Sequence, residues 1–433
     1  MSRITIDFSK EIGKIKPMHC VNNGPLKEGE DIRTGNFDKW IEMGIPYSRN
    51  HDASLCIEYG GDHTVDVWAI FPDFDADVND PDSYDFVLTD RYTKNTLDSG
   101  TKIFYRLGTR IEHWVKKYGT LPPADYKKWA EICEHIIMHY NEGWADGYHW
   151  NIEYWEIWNE ADLNEDDAPN KRTWGGTKEE FFDFYEVVSK YLKNRFPHLK
   201  IGGPALSGRL DWGEDFIKEM GKRQVPMDFF SWHRYCPEPS WLISKHNKFK
   251  KMLIDNGYGD IETICNEWNY IRQWTPNFLN NVKQIISMKG AAFSAACMIA
   301  AQHSSIDMMM YYDARPSRFN GLFDFYTLEP LKTFYTFKMF NELYRRENSV
   351  SVNSDDETVY VAAAKNESGE AVMICYYTDD DNAQAKTVEF EIKNGKEEYE
   401  LYLLDENKNC ELTGKYKSGT PIKMELNTVV LIK

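Results

Sequence analysis

The chain has 433 residues, 42% hydrophobic and 28% charged, enough to bury a large core in two or three domains at roughly 150 residues each. Its 51 Lys and Arg against 69 Asp and Glu leave a formal charge of −18, a field that repels phosphate backbones and anionic lipid, so neither nucleic acid nor a membrane is an expected partner. The longest run of small and apolar residues, near 291–301, is about half of the ~20 that a membrane-spanning helix needs.

Residues 1–12 alternate like a strand and lack the apolar stretch of a signal peptide, so a cytoplasmic location is expected. From there to Arg346 apolar runs alternate with amphipathic helical patterns. The strand patterns fall at 15–21, 46–50, 102–107, 154–158, 201–204, 228–232, 262–265 and 307–311. Helical patterns lie between them at 37–43, 125–140, 178–195, 212–222, 241–256 and 278–301, and a last one at 331–344. Eight βα units over residues 14–346 predict a (β/α)8 barrel of the TIM type, with its site on the loops beyond the strand carboxyl ends. The competing doubly wound sheet would bring a Gly-rich phosphate turn after its first strand, and Met18-His19-Cys20-Val21-Asn22-Asn23-Gly24-Pro25 does not supply one. Past Arg346 the pattern changes to short strands near 358–364, 371–377, 387–392, 398–404 and 428–432, parted by Asp, Asn and Gly turns. Residues 347–433 therefore read as an all-β sandwich, which the strand at 1–12 is expected to join. The fold class is α/β with an all-β appendage.

The eight cysteines, at 20, 56, 133, 236, 265, 297, 375 and 410, are scattered, with no paired spacing that would hold zinc, and read as small core residues. Asp73 to Asp80 resembles a calcium loop superficially. It lacks Gly at the sixth position and has Tyr84 where a bidentate Glu belongs, so it reads as turns with helix caps at Asp80 or Asp82. The Met308-Met309-Met310 run reads as core filling. Aromatic residues make up 15% of the chain, which suits either a ring-rich core or a site that stacks sugar faces.

Two segments carry chemistry. The fourth barrel strand runs Tyr154-Trp155-Glu156-Ile157-Trp158-Asn159-Glu160-Ala161-Asp162, and the seventh runs Glu262-Thr263-Ile264-Cys265-Asn266-Glu267-Trp268-Asn269-Tyr270. Each sets a glutamate where a strand breaks into its loop, among aromatic side chains that raise a carboxyl pKa. One proton-donating and one ionised carboxyl group are what glycosidic cleavage requires. Glu156, four residues before Glu160 and deeper in the barrel, reads as a structural carboxylate paired with Arg49 or Arg106.

Trp158-Asn159-Glu160 and Asn266-Glu267-Trp268 together resemble the paired motifs of the retaining glycoside hydrolases of clan A. Val21-Asn22-Asn23-Gly24-Pro25 after the first strand, Arg49 and His51 after the second, and Ser231-Trp232-His233-Arg234-Tyr235 after the sixth make the chain most similar to glycoside hydrolase family 39, which contains β-xylosidases and α-L-iduronidases. Ala161 stands where the clan usually has Pro, and Asn266 where Thr is common. The resemblance implies Glu160 as general acid/base, Glu267 as nucleophile, and Asn159 bonded to the sugar hydroxyl beside the reacting carbon. It also implies His233 and Tyr235 orienting Glu267 and Trp268 flanking the pocket floor. Arg49 and His51 read either as substrate contacts or as structural partners beneath the site. The expected activity is cofactor-free, retaining exo-hydrolysis of a small saccharide, β-xylosidase-like, with no metal. A homo-oligomer is compatible with the sequence. The long segment 59–84 after the second strand is expected to wall off one end of the cleft. A non-catalytic sugar-binding barrel and a barrel oxidoreductase are the rival readings, and the latter finds no cofactor fingerprint.

Overall fold

The computed structural model describes residues 2–29, 35–52 and 65–433. Strand β1 (Ser2–Lys14) leads into β2 (Cys20–Asn22), β3 (Tyr47–Asn50), β4 (Lys102–Leu107), β5 (Tyr154–Ile157), β6 (Lys200–Leu206), β7 (Phe229–Cys236), β8 (Glu262–Tyr270) and β9 (Met308–Tyr311). β2 to β9 close in chain order into a parallel eight-stranded barrel, as expected. Helices on its outside are α1 (Phe37–Met43), α2 (Val67–Ile70), α3 (Val87–Asp98), α4 (Tyr126–Asn141), α5 (Lys178–Arg195), α6 (Leu210–Lys222), α7 (Pro239–Asp255), α8 (Phe278–Ile285), α9 (Met288–Gln302) and α10 (Lys332–Tyr344).

The local chemistry explains several boundaries. α5 starts on a reciprocal capping box: Thr177 Oγ1 accepts from Glu180 N at 3.2 Å, and Glu180 Oε2 accepts from Thr177 N at 2.7 Å. The single helix expected over 278–301 is instead two helices, α8 and α9, bent by 77°. Ser287 caps the second through Lys289 N, and Gly290 lets it approach the end of the first: a Cβ there would lie 2.6 Å from the Gln284 carbonyl oxygen and closer still to that of Ile285. Among the described residues no single helix is long and apolar enough to cross a membrane.

α3 had no counterpart in the periodicity, because its buried face is Thr89, Tyr92, Thr93 and Thr96 rather than an aliphatic stripe. Part of the segment expected to wall the cleft, residues 59–64, lies outside the described residues. The rest forms α2 and a short turn and packs against α4, with Tyr84 ringed by Phe71, Phe86, His135 and Trp144. Asp80 caps that short turn through Asp82 N.

Inward-facing side chains fill the barrel. Cys20, Phe104, Tyr154, Phe229, Ile264, Met308 and Met310 form an apolar cluster and Met309 packs in the main core, so the methionine run is core as expected. Arg49, Glu156, Ser231 and Asn266, joined by hydrogen bonds, form a polar cluster. Seven of the cysteines are free and Cys56 lies outside the described residues.

After α10 come β10 (Asn348–Ser354), β11 (Val359–Asn366), β12 (Gly369–Tyr376), β13 (Lys386–Lys393), β14 (Tyr399–Leu404), β15 (Asn409–Tyr416), β16 (Ile422–Met424) and β17 (Thr428–Ile432). These hydrogen-bond as one nine-stranded sheet in the order β15-β14-β17-β12-β11-β10-β1-β13-β16. β1 lies inside it, antiparallel to β10 and parallel to β13. The sheet curls so that its ends face each other: Tyr416 of β15 donates to the Phe390 carbonyl of β13 at 2.9 Å, and Phe8 of β1 stacks on Tyr399 of β14. One face thereby encloses its own core, including Ile4, Ile6, Val361, Ile374, Phe390 and Val430. On the other, Ala364, Met373, Cys375 and Leu431 continue the barrel's core beside α9 and α10.

Candidate active site

The two glutamates reach the carboxyl end of the barrel by different backbone devices. Trp158 and Glu160 both hold the left-handed conformation, at φ 73° and 49°, on either side of Asn159. That sharp turn is tied down by Trp158 N to Leu107 O, Glu160 N to Ala205 O and Thr173 Oγ1 to Glu160 O, at 2.6–2.8 Å. In β8 the register shifts against both neighbours around Asn266 and Glu267. A regular strand would turn adjacent side chains to opposite faces. The bulge lets both point inward, Asn266 to Glu156 and Glu267 to Arg49.

Arg49, fully buried, is the hub. It donates to Glu156 Oε2 at 2.7 Å, Glu267 Oε1 at 2.9 Å, Asn159 Oδ1 at 2.8 Å and Asn22 Oδ1 at 3.1 Å. Glu156 is held further by Ser231 Oγ at 2.6 Å and Asn266 Nδ2 at 2.5 Å, and Arg49, one of the two partners expected, is its counter-ion. Arg106 instead donates to Asp66 and to His51 Nδ1. Because His51 Nδ1 accepts that bond, its Nε2 carries the hydrogen, 3.4 Å from Glu267 Oε1. Arg49 and His51 thus both contact Glu267.

Tyr235 donates to Glu267 Oε2 at 2.8 Å. His233 Nδ1 lies 2.8 Å from Glu160 Oε1 and 3.4 Å from Glu267 Oε2, bridging the two carboxyl groups. Asn159 accepts from Arg49, while its buried Nδ2 has no acceptor among the described residues. Trp268 is placed differently from the expectation of a pocket floor. With Glu267 turned inward, the next side chain turns outward, and Trp268 packs fully buried against Tyr311 and Phe293 of α9. Tyr312 and Asp313, directly after β9, were missed. Tyr312 donates to Asp52 Oδ2 at 2.5 Å, and Asp313 accepts from Asn23 at 2.7 Å. Their signal was available: polar residues at the carboxyl end of a barrel strand.

Electrostatics divide the pair. Burial pushes Glu160 up to about 8, with Asp162 adding to the shift and Arg49 opposing it. Burial also pushes Glu267 up, to about 7, with Glu160 adding to the shift, but Arg49 and the Tyr235 hydrogen bond pull against it. The proton therefore belongs on Glu160 and the charge on Glu267, the carboxylate that Arg49 touches. Burial and nearby Arg49 lower His233 to about 4, leaving it neutral at pH 7. Glu160, His233 and Glu267 each offer a ligand atom within 4.8 Å of the others. The fixed positive charge of Arg49 beside them disfavours a cation there.

The sequence matches the family model described as glycosyl hydrolases family 39 over residues 63–422. The chain belongs to this family. A β-xylosidase of Geobacillus stearothermophilus is 31% identical over 166 residues, a match covering 35% of this chain and 31% of that protein's length. A glucosidase from Croceicoccus marinus has the same fold, with a TM-score of 0.79 at 19% identity over 100% of this chain and 98% of its own. A monomeric β-xylosidase from Caulobacter crescentus gives 0.71 at 16% identity, over 99% and 98%.

Proposed function

We propose that this family 39 chain is a retaining exo-glycosidase acting on β-xyloside-like substrates. The observation that carries the reading is the carboxyl pair: oxygens of Glu160 and Glu267 within 4.8 Å of each other, at the carboxyl ends of two barrel strands. Retaining enzymes hold their carboxyl groups about 5–5.5 Å apart and inverting ones about 6.5–9.5 Å, to leave room for water. Their unequal surroundings supply one acid and one anion.

In the first step Glu160 gives its proton to the leaving oxygen as the glycosidic bond breaks, and Glu267 forms a bond to the anomeric carbon. Esterification removes the negative charge of Glu267 and lowers the pKa of Glu160, which becomes a base. Glu160 then takes a proton from water as the oxygen attacks that carbon, releasing the sugar and restoring Glu267. Arg49, Tyr235 and His51 hold Glu267 in its ionised form, and Asn159 Nδ2 is a donor for the neighbouring sugar hydroxyl. The xylose-type sugar is supported by the β-xylosidase relative.

The test is a panel of aryl pentosides, hexosides and uronides, with proton NMR of the first product from whichever turns over. Turnover of a β-xyloside with release of the β-anomer is expected. First release of the opposite anomer, or no turnover on any member, rejects the assignment. On a reducing-end-labelled oligosaccharide, loss of single units from the unlabelled end supports exo-action, and early mid-length labelled products reject it.

A further inference from the structure

Between β12 and β13, residues 377–382 of the β-sheet domain reach the carboxyl ends of β7 and β8. Tyr377 donates its hydroxyl to the Pro237 carbonyl, just past β7, and Asp379 N donates to Glu238 Oε1 at 3.0 Å. At the end of β8, Asp379 Oδ1 accepts from Tyr270 OH at 2.7 Å and Oδ2 from Arg272 Nε at 2.7 Å. The buried Lys289 of α9 lies 2.8 Å from Asp379 Oδ1 and also pairs with Asp381. Burial raises the Asp379 carboxyl, but Arg272, Lys289 and Tyr270 outweigh it and hold it below the usual carboxylate range.

These anchors lie close to the reacting groups. Tyr235 is two residues before Pro237, and Glu267 three before Tyr270. Beyond its bulge, β8 is paired to β9 only at Trp268↔Tyr311, so the segment bearing Glu267 has little ladder on that side. Its loop continues from Arg272 to Trp274, half-exposed and edge-on to Tyr235 at 5.3 Å. On its other side β8 stays paired to β7 from His233↔Glu267 to Cys236↔Tyr270, so the two strand ends move as one ribbon and an anchor shared by both sets how Tyr235 and Glu267 sit against the rest of the site.

We propose that Asp379 is a positioning residue for the carboxyl pair, holding the ends of β7 and β8 so that Tyr235 and Glu267 stay in hydrogen-bond register, which makes the β-sheet domain a working part of the site. The kinetic form of this claim rests on the glycosidase reading. Glu267 faces Arg49, His51 and Asp52 from β3 and its end, Glu160 after β5, His233 and Tyr235 from β7, and Tyr312 after β9. A change at Asp379 alters none of these groups, so a shift in Glu267 titration reports their geometry.

The experiment compares Asp379→Asn and the milder Tyr270→Phe with Lys332→Ala, which removes a different barrel-to-sheet contact, that of Lys332 Nζ with the Asp405 carbonyl and Asn409. Asp379→Asn is expected to lower kcat about tenfold with KM within about twofold, as misplacement of a reacting group does. Weakening the Tyr235 bond raises Glu267, so the acid limb of kcat/KM should move up by about half a pH unit. Tyr270→Phe should move both in the same direction by less. Lys332→Ala should lower Tm and leave kcat and the limb unchanged. If Asp379→Asn changes kcat and the limb no more than Lys332→Ala does, the proposal is overturned, and if Asp379→Asn does not fold, Tyr270→Phe decides by the same criterion. Carboxyl-¹³C NMR titration of Glu267, assigned with Glu267→Gln, separates the two readings. Should the wild type turn over no glycoside, the functional reading falls, while an upward shift of Glu267 in Asp379→Asn still supports the positioning claim and an unmoved titration overturns it.

Discussion

Arg49 directs its guanidinium to two carboxylates and two amides at once, and that division governs the pH behaviour of the site. Activity in the proposed mechanism needs Glu267 ionised and Glu160 protonated, so rate rises as pH passes the Glu267 value near 7 and falls as it passes the Glu160 value near 8. A narrow bell with its maximum between those values is expected from kcat/KM against pH, and a flat profile from pH 5 to 9 would contradict it. Glu267→Ala should lose at least about 10⁴-fold on every substrate and recover part of it with azide, giving the inverted sugar azide. Glu160→Ala should keep substantial activity toward aryl leaving groups of low pKa, which need little protonation, while its deglycosylation slows. Equal losses in the two variants, with no azide product, would refute these roles. The same burial bears on stability. Glu160 is raised in the folded state, so its contribution is fully present below about 4.5 and is lost as pH rises through about 8. Glu160→Gln, neutral throughout, should therefore gain Tm over the wild type progressively across that window, and a Tm difference independent of pH would exclude the linkage.

At the scale of single elements, the bulge in β8 and the left-handed turn after β5 accomplish the same task, turning a carboxylate into the barrel mouth. Neither device is visible in hydrophobic patterning, which assigns faces by strict alternation. Trp268 follows from this: strict alternation from Asn266 would turn it inward, and one extra residue in the strand sends it to the helix layer. The elbow between α8 and α9 is of the same kind. The apolar pattern over 278–301 is continuous, and the break comes from Ser287 and from the space at Gly290. Gly290→Ala should cost about 1–3 kcal/mol in urea unfolding, because the added methyl meets two backbone carbonyls that cannot rotate away. A change below about 0.5 kcal/mol, the usual range for surface substitutions, would mean the elbow has slack.

On the scale of the whole molecule, α9 and α10 serve both halves. α9 is apolar along most of its length and buried over 14 of its 15 residues, against the barrel on one face and β11, β12 and β17 on the other. A helix of that composition has no surface to offer water. A chain ending at residue 346 should therefore be insoluble or bind a hydrophobic dye strongly, and a soluble truncated chain with cooperative unfolding would show that the sheet is dispensable for folding.

The eight strands of the barrel, the all-β character of the later residues and the gathering of Asn159, Glu160, His233, Tyr235 and Glu267 at one end were all legible in the sequence. Apolar periodicity specifies strand or helix locally, and a parallel barrel places every strand's carboxyl end on the same rim. What only tertiary structure decided were matters of direction and partnership: Arg49 rather than Arg106 against Glu156, Trp268 outward, and Asp379 reaching back to β8 from 109 residues away. Each depends on which side chains meet across strands or between domains. Such contacts carry no short-range signal, because the free energy that selects them comes from pairing buried charges and donors after the chain has folded.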